Sequence, residues 1–460
     1  LLKKKNRIHF IGIGGIGMSG LAEYYLRNGY DVSGSDSAET GITSRLGSLG
    51  AKIYAGHSAE NINTGIDTVV YTSAVKEDNP EMVKAGELGL RKIRRAEMLG
   101  EIVNDKYLIA VSGTHGKTTT TAMIGKLLVD AGLDPLIFVG GNVQLFDGGA
   151  SRFGKGDYAV VEADEYDRSF LALRPDVTVI TNIDEDHLDI YKDLNDIKDT
   201  FKLFCDRSKY GAYIIYCGDD GNITSFINSI NREKISYGFD DKNYLKITNY
   251  FSKEGGLDFS ILNSHRSYGN IKLNMPGRHN ALNSTACFAV SKVLKIEFEK
   301  YRESINGFRT VDRRLQLKYD NNGLKVYDDY SHHPAEIKAS LTGLKEAGLG
   351  RIITVFQPHL YSRTRDFFRE FAGELAIADE IILMDIYPAR EKPIEGITSG
   401  LIFNELLSSG KKAQLLKSKE EIISRLESEA KQNTCIVFQG AGNITDLCLE
   451  FINKLEASGN

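Results

Sequence analysis

Short apolar runs alternate along this chain with longer stretches in which apolar residues return every three or four positions. Residues 8–17, Ile-His-Phe-Ile-Gly-Ile-Gly-Gly-Ile-Gly, read as a strand running into a glycine turn; Met18, Leu21, Ala22, Tyr25 and Leu26 follow at helical spacing. The same alternation recurs. Strands are expected at Ile66–Tyr71, Tyr107–Ala110, Tyr158–Glu162, Val177–Thr181, Ile352–Phe356, Ile381–Asp385 and Ile436–Phe438. Helical patterns open after Asn79-Pro80, run through Met123, Ile124, Leu127 and Leu128, and occupy Ala335–Ala347. Strand and helix in regular alternation predict an α/β fold with mostly parallel sheets. The pattern changes at Lys234–Phe239, Leu245–Tyr250, Leu257–Leu262 and Ile271–Asn274, short alternating runs that predict an antiparallel insertion. Leu315–Tyr319 and Leu324–Tyr327 flank Asp-Asn-Asn-Gly, a hairpin signal.

Several of the predicted strand ends carry chemistry. Val111–Thr121, VSGTHGKTTTT, lies between a strand and a helix. Gly113 and Gly116 let the backbone curl so that its N–H groups face one anion. The helix N-terminus adds partial positive charge, Lys117 a full one, and Thr118 a hydroxyl for Mg²⁺. The generic phosphate-loop pattern asks for Gly where this chain has Val111, so the loop is a shorter G-T-H-G-K-T. Gly12, Gly14 and Gly17 form G-x-G-x-x-G after the first strand, and Asp36 ends the second, a dinucleotide-type βαβ fingerprint with Asp36 beside a ribose. Alone, that suggests NAD; a UDP-sugar pyrophosphate satisfies the same physics. Glu162-Ala163-Asp164-Glu165 and Asn182–Asp189 are acidic strand ends following the phosphate loop, the place for hard oxygen ligands to Mg²⁺.

Composition narrows the class. The 460 residues suggest two to four domains, and 42% hydrophobic with 26% charged is ordinary for a globular protein. A net charge of −5 argues against a dominant nucleic-acid surface. No apolar stretch is long enough to span a membrane, and LLKKKNRIHF has no apolar core behind its charges, so neither a span nor a signal peptide is expected. Cys205, Cys217, Cys287, Cys435 and Cys448 show no C-x-x-C spacing, which fits a reduced cytoplasmic protein. Gly56-His57 sits in a loop, and a lone histidine there reads as surface rather than ligand. Asn280 and Asn283, three apart on one helical face, can present amides to a purine edge, with capping the alternative for Asn280. Arg313, Arg314, His332, His333, His359, Arg363 and Arg365 gather in loops of the last third, several just after predicted strands.

The motifs GTHGKTTT, EADEYD, TNIDEDHLD, PGRHNALN and DDYSHHPAEI, in this order over nearly the whole chain, resemble the Mur ligases, ATP-dependent amide-forming enzymes of peptidoglycan precursor synthesis. The resemblance implies three domains: a Rossmann-like UDP-sugar domain over 1–102, a central P-loop ATP domain with an antiparallel insertion over 103–307, and a Rossmann-like amino-acid domain over 308–460. It implies that ATP phosphates meet Gly113, Thr114, His115, Gly116, Lys117, Thr118 and Thr119, and that Thr118, Glu162 and His187 hold Mg²⁺. It places adenine at Asn283 and His279, the ribose at Asp329, and Arg314 on the phosphates. Gly14, Gly15, Ile16 and Gly17 would face the UDP pyrophosphate. GIGGIGMSGLAE, QPHLYSRTRDF and DIYPARE resemble the branch that joins L-alanine to the lactoyl carboxylate of UDP-N-acetylmuramate, with Arg363 on the alanine carboxylate, His359 lining its pocket, and His332 or His333 as base. A sister ligase joining a peptide is the alternative within the family, and an NAD-dependent dehydrogenase the alternative outside it. Two positions depart from the pattern: Leu360 stands where Arg is common, and Ser112 where Thr is. A monomer or homodimer is expected.

Overall fold

The structure is a computed structural model that describes residues 6–141, 149–187, 190–264, 266–389 and 391–457. Leu188, Asp189 and Arg390, which fall in motifs quoted above, lie outside the described residues. The chain packs as two compact units, Leu1–Lys246 with Thr285–Tyr301, and Ile247–Ser284 with Arg302–Asn460.

The first unit opens with β1 (Arg7–Ile11), α1 (Ile16–Arg27), β2 (Asp31–Asp36), α2 (Gly41–Ser48), β3 (Lys52–Ala55), β4 (Thr68–Tyr71), α3 (Pro80–Glu87), β5 (Arg91–Arg94) and α4 (Arg95–Val103). The strands form one sheet in the order β3-β2-β1-β4-β5, parallel throughout. The order reverses beside β1, and in open α/β sheets ligands bind outside the carboxyl ends at such a point. Ile11, Ile62, Ile66, Val69, Met82 and Ala85 pack one face of this sheet.

The unit continues with β6 (Tyr107–Ser112), α5 (Lys117–Asp130), β7 (Leu136–Phe138), β8 (Ser151–Phe153), β9 (Tyr158–Glu162), β10 (Val177–Ile180), α6 (Leu194–Arg207), β11 (Tyr213–Cys217), α7 (Gly221–Thr224) and β12 (Glu233–Gly238). The second sheet runs β12-β11-β10-β6-β9-β7-β8. Every pairing is parallel except β7 with β8. β6 therefore lies between β9 and β10, and its inner residues Leu108–Val111 are fully buried. Lys234–Phe239, expected in an antiparallel insertion, instead forms β12 and runs parallel to β11.

β13 (Leu245–Lys253) carries the chain from one unit to the other. In the second unit β14 (Gly256–Asn263) and β15 (Arg266–Leu273) form an antiparallel ribbon, then α8 (Arg278–Val293) and α9 (Phe298–Asn306) follow along the chain. The last sheet contains β16 (Gln316–Asn321) and β17 (Leu324–Asp329), then α10 (Pro334–Glu346), β18 (Arg351–Phe356), α11 (Tyr361–Leu375), β19 (Glu380–Leu383), α12 (Gly400–Ser408), β20 (Ala413–Leu415), α13 (Lys419–Glu429), β21 (Thr434–Gln439) and α14 (Ile444–Ala457). Its order is β16-β17-β21-β18-β19-β20, and only β16 with β17 is antiparallel. Asn322 (φ 50) and Gly323 (φ 77) turn that hairpin, both in the left-handed region that a two-residue hairpin loop demands. One face packs on α10, α11 and α12 through Ile337, Leu341, Phe371, Leu375 and Ile402; the other packs on α13 and α14 through Ile422, Leu426, Leu447 and Phe451. Three sheets, two Rossmann-like (one parallel throughout, one parallel but for its β16 edge) and one P-loop-like, make this a three-domain α/β fold. Among the described residues no helix is long and apolar enough to cross a membrane, and all five cysteines are buried and free.

Candidate active site

The phosphate loop is fastened to its neighbouring strand ends before any ligand is considered. Ala163 N donates to Val111 O at 2.8 Å and Thr181 N to Ser112 O at 3.0 Å, so the ends of β9 and β10 flank the end of β6. Asn182 accepts from Thr114 N at its carbonyl (3.0 Å) and from His115 N at Oδ1 (2.8 Å). Gly113 takes φ 135, and a Cβ there would lie 2.0 Å from Thr181 Oγ1, so only glycine fits. Gly116 (φ 82) is the left-handed N-cap of α5, and no side chain caps that helix. Its first turn, Lys117 to Thr119, thus presents backbone N–H groups and the positive end of the helix dipole.

Two carboxylates complete the surroundings of the loop. Thr118 Oγ1 donates to Glu162 Oε1 at 3.1 Å, and Gly140 N donates to Glu162 Oε2 at 2.6 Å. A Cβ on Gly140 would sit 2.6 Å from Glu162 Oε1, so this glycine makes room for the carboxylate. A hydroxyl and a carboxylate side by side are hard oxygen donors, the set that Mg²⁺ takes. Lys117 Nζ lies 2.8 Å from both oxygens of Glu165 and donates to Gly113 O at 2.6 Å. Burial alone would lower the Lys117 pKa, but Glu165, Asp164 and Glu162 outweigh it and hold it above the ordinary lysine value. Burial pushes the Glu165 carboxyl up to about 7, against the pull of Lys117. His187, in the left-handed region at φ 57, sets Nε2 3.8 Å from Glu165 Oε1 and its ring edge-on to Tyr166. Sequence reading missed Glu165 as the link between Lys117 and His187; only its place in an acidic run pointed to it.

The glycine turn after β1 opens on the same region. A cleft of about 300 Å³ is lined by Gly15, Ile16, Gly17, Arg95, Gly140, Glu162 and Asp164, among others. Gly17 lies so close to Arg95 that a Cβ would be 3.1 Å from the guanidinium Nη1. Arg95 heads α4 and was not singled out from the sequence. It also lines an adjoining cavity of about 290 Å³ with Arg94, Arg168 and Arg207. Asp36 Oδ2 accepts from Gly14 N at 2.8 Å, so this carboxylate shapes the glycine turn itself.

In the second unit, several expected residues converge on one that was not expected, Glu336. His333 is the N-cap of α10, with Pro334 next, and Ala335 N donates to its Nδ1 at 3.4 Å. Glu336 reaches back to His332 N (3.0 Å) and His333 N (3.3 Å), and Arg314 Nη1 lies 3.6 Å from it. The Arg314 guanidinium stands 4.9 Å from the Tyr330 ring centre. His-x-x-Glu with proline inside is the capping-box signal that could have found Glu336. His279 is fully buried, and burial depresses its pKa to about 4 despite Asp329 and Glu336. Asp329 accepts from Leu315 N at one oxygen and Ser340 Oγ at the other, and Asn280 donates to Pro276 O, so both are engaged in holding the fold. Asn283, 5% exposed, meets Asn280 Oδ1 at 3.5 Å. His359 stacks on Tyr387, and Leu360 follows it at φ 70 as the N-cap of α11, whose first turn bears Arg363.

A lysine-bearing phosphate loop flanked by acidic strand ends, with a glycine-loop Rossmann sheet before it and another Rossmann-like sheet after it, defines a nucleotide-dependent ligase architecture. Three family descriptions match successive parts of the chain: Mur ligase family, catalytic domain over residues 7–107, Mur ligase middle domain over 111–291, and Mur ligase, glutamate ligase domain over 313–442. The chain belongs to the Mur ligase family. It is 43% identical to the UDP-N-acetylmuramate–L-alanine ligase of Geobacter sp. (strain M21), covering 99% of each chain. It is 44% identical to the enzyme of the same name from Clostridium tetani, covering 96% of this chain and 97% of the relative. Among solved structures, the UDP-N-acetylmuramate–alanine ligase of Thermotoga maritima superposes with a TM-score of 0.84 at 30% identity, covering 98% of this chain and 99% of that one.

Proposed function

We propose that this chain joins L-alanine to the lactoyl carboxylate of UDP-N-acetylmuramate at the expense of ATP, releasing ADP and phosphate. One observation carries the site assignment: Glu162, which accepts from Thr118 Oγ1 of the phosphate loop, lines the same cleft as Gly15–Gly17 and Arg95. The carboxylate beside the activating loop and the nucleotide-sugar turn then share one space. When bound, ATP and Mg²⁺ supply the phosphoryl group that activates the carboxylate and the charge that lets two anions approach. The first turn of α5 would hold the phosphates with its N–H groups, and Lys117 would leave Glu165 to meet the terminal one. Thr118, Glu162 and His187 would hold the metal. Arg95 adds a cation on the sugar side. The activated carboxylate is exposed to hydrolysis, so the apolar wall of Met18, Leu21, Leu99 and Phe138 in this cleft serves to exclude water. His333 Nδ1 accepts from Ala335 N, which puts the proton of its neutral ring on Nε2 and fits a capping role. His332, whose Nδ1 faces the Tyr330 carbonyl at 2.9 Å and so carries the proton, keeps the Nε2 lone pair that a base toward the amine requires. The substrates and the buried free thiols suit a cytoplasmic enzyme.

The test is phosphate release from ATP in the presence of UDP-N-acetylmuramate with L-alanine, glycine, L-serine or a tripeptide. L-Alanine should give the fastest release, and omission of either acceptor or sugar should abolish it. Release that needs the tripeptide would assign the chain to peptide joining instead.

A further inference from the structure

Glu391, in the loop after β19, places both of its carboxylate oxygens on one residue of a helix distant in sequence. Oε2 accepts from Ser362 N at 3.0 Å, and Oε1 accepts from Ser362 Oγ. Ser362 is the second residue of α11 and stands directly before Arg363. A helix leaves its first N–H groups without intrahelical partners. Here the N-cap is Leu360, which makes no side-chain cap bond. The Glu391 carboxylate takes that place from another loop, and its charge answers the positive end of the helix dipole.

The backbone leading into α11 is held as firmly. Leu360 takes φ 70 and ψ 138, a conformation that suits glycine and strains a leucine. Strain of this kind persists only where neighbours over-determine the backbone. Leu360 N donates to Tyr387 O at 3.0 Å, and Leu360 O accepts from Thr364 N at 3.2 Å and from Thr364 Oγ1 at 2.9 Å. Tyr387 N donates in turn to Pro358 O at 2.8 Å, its ring lies nearly parallel to that of His359, and Glu391 N donates to Pro388 O at 2.9 Å. The turn before α11 and the loop after β19 are thus clasped at two points: Tyr387 grips Pro358 and Leu360, and Glu391 grips Ser362. Arg365, the next cation along the helix, takes its direction from Asp366, which it meets at 2.7 and 3.1 Å. Arg363, adjoining the gripped residue, takes its direction from the clasped turn.

We infer that Glu391 is a positioning residue for the amino-acid substrate: it fixes the first turn of α11 so that Arg363 meets the carboxylate of the incoming amino acid in one geometry. This rests on the reading of Arg363 as the partner of the L-alanine carboxylate. L-Alanine is small and offers few contacts. A bidentate guanidinium–carboxylate pair then carries much of its recognition, and such a pair tolerates little angular error. An uncapped first turn frays and would spread the guanidinium over several directions. Because Glu391 already answers the helix dipole, the guanidinium rather than the helix N–H groups is left to attract the substrate carboxylate.

The experiment is steady-state phosphate release by the full chain, with ATP, UDP-N-acetylmuramate and L-alanine varied in turn, for wild type, Glu391→Ala, Glu391→Gln, Ser362→Ala and Arg363→Ala. Glu391→Ala should raise KM for L-alanine about tenfold. Its kcat and the other two KM values should stay within about twofold, the pattern of lost substrate binding rather than of a damaged fold. Glu391→Gln, which can still accept from Ser362 N, should return KM to within about threefold of wild type. Ser362→Ala should cost about threefold, and nothing further when added to Glu391→Ala, because the two residues act through one contact. Should Glu391→Ala not fold, Ser362→Ala decides by the same readout. An unchanged KM for L-alanine, a lowered one (a carboxylate competing with substrate for Arg363), or an equal loss for all three substrates overturns the inference. The reading of Arg363 then still stands if Arg363→Ala raises KM for L-alanine by more than about tenfold; an unaffected KM in Arg363→Ala overturns both.

Discussion

Gly12–Gly17 and Gly113–Lys117 are both strand–turn–helix cradles at the carboxyl ends of parallel strands, yet they are charged in opposite ways. The first has no lysine, and its helix α1 is capped by Gly15 in extended conformation. An acidic group, Asp36, braces it from the side. The second has Lys117 and a left-handed Gly116 at the helix start. Each has a buried carboxylate behind it. Burial alone would raise Glu81, but hydrogen bonds from His9, Ser35 and Asn61 outweigh it and hold its pKa down at about 2. Glu165, with Lys117 as its counter-charge, is instead pushed up to about 7 by burial. The same backbone device thus serves two tasks. One cradle is fixed and has no side-chain cation of its own, which would suit a diphosphate esterified at both ends, whose charge does not change during the reaction. The other holds a movable cation, which suits a chain of phosphates that changes length during reaction.

Substitutions should separate the two cradles. Lys117→Ala should lower ligation about a thousandfold or more, roughly 4 kcal/mol of transition-state stabilisation, while UDP binding stays within about threefold. Steady-state rates and calorimetry on one preparation check this, and retained ligation would remove Lys117 from the chemistry. Glu162→Gln should cost about a hundredfold and flatten the Mg²⁺ titration; an unchanged titration would take Glu162 out of the metal site. Glu81→Gln acts on the first cradle through pH. Because the folded pKa of Glu81 is depressed, its stabilisation is present above about 4.5 and lost as pH falls toward 2. That limb is worth about 3 kcal/mol and should vanish from the acid-unfolding profile of the variant, which is also expected to be less stable at neutral pH. For Glu165 the sign is opposite: a raised folded pKa means stability is lost as pH rises from about 4.5 through 7, so Glu165→Gln should flatten the neutral limb instead. Asp36→Asn should have the smallest effect, weakening UDP binding by about fivefold, since the amide oxygen can still accept from Gly14 N.

What the sequence disclosed follows from the range of the forces involved. The phosphate loop, the Asn322-Gly323 turn and the start of α10 at His333-Pro334 are local, and each is legible from a handful of neighbouring residues. The alternation of strand and helix disclosed the α/β class, and the resemblance of the ordered motifs disclosed the division into three domains. Lys234–Phe239 was misassigned because a short alternating run between breaks looks antiparallel, and its partner β11 is chosen by distant packing. Glu81, Glu165 and Glu336 stayed hidden for another reason. An acid in the first turn of a helix, as at Glu81 and Glu336, is what the helix dipole favours at any surface. Only the fold reveals that Glu81 is buried among His9, Ser35, His57 and Asn61. Arg95 is likewise an ordinary helix-start arginine until Gly17 is seen against it.

The anchoring of Thr114 and His115 to Asn182, and of Gly113 against Thr181, carries a thermodynamic consequence. A loop already fixed by its protein neighbours has little backbone freedom left to surrender when a phosphate arrives. Binding there should therefore show a small ordering penalty, and loosening the anchor, as Asn182→Ala would, should weaken nucleotide affinity through entropy without touching a single atom of the ligand.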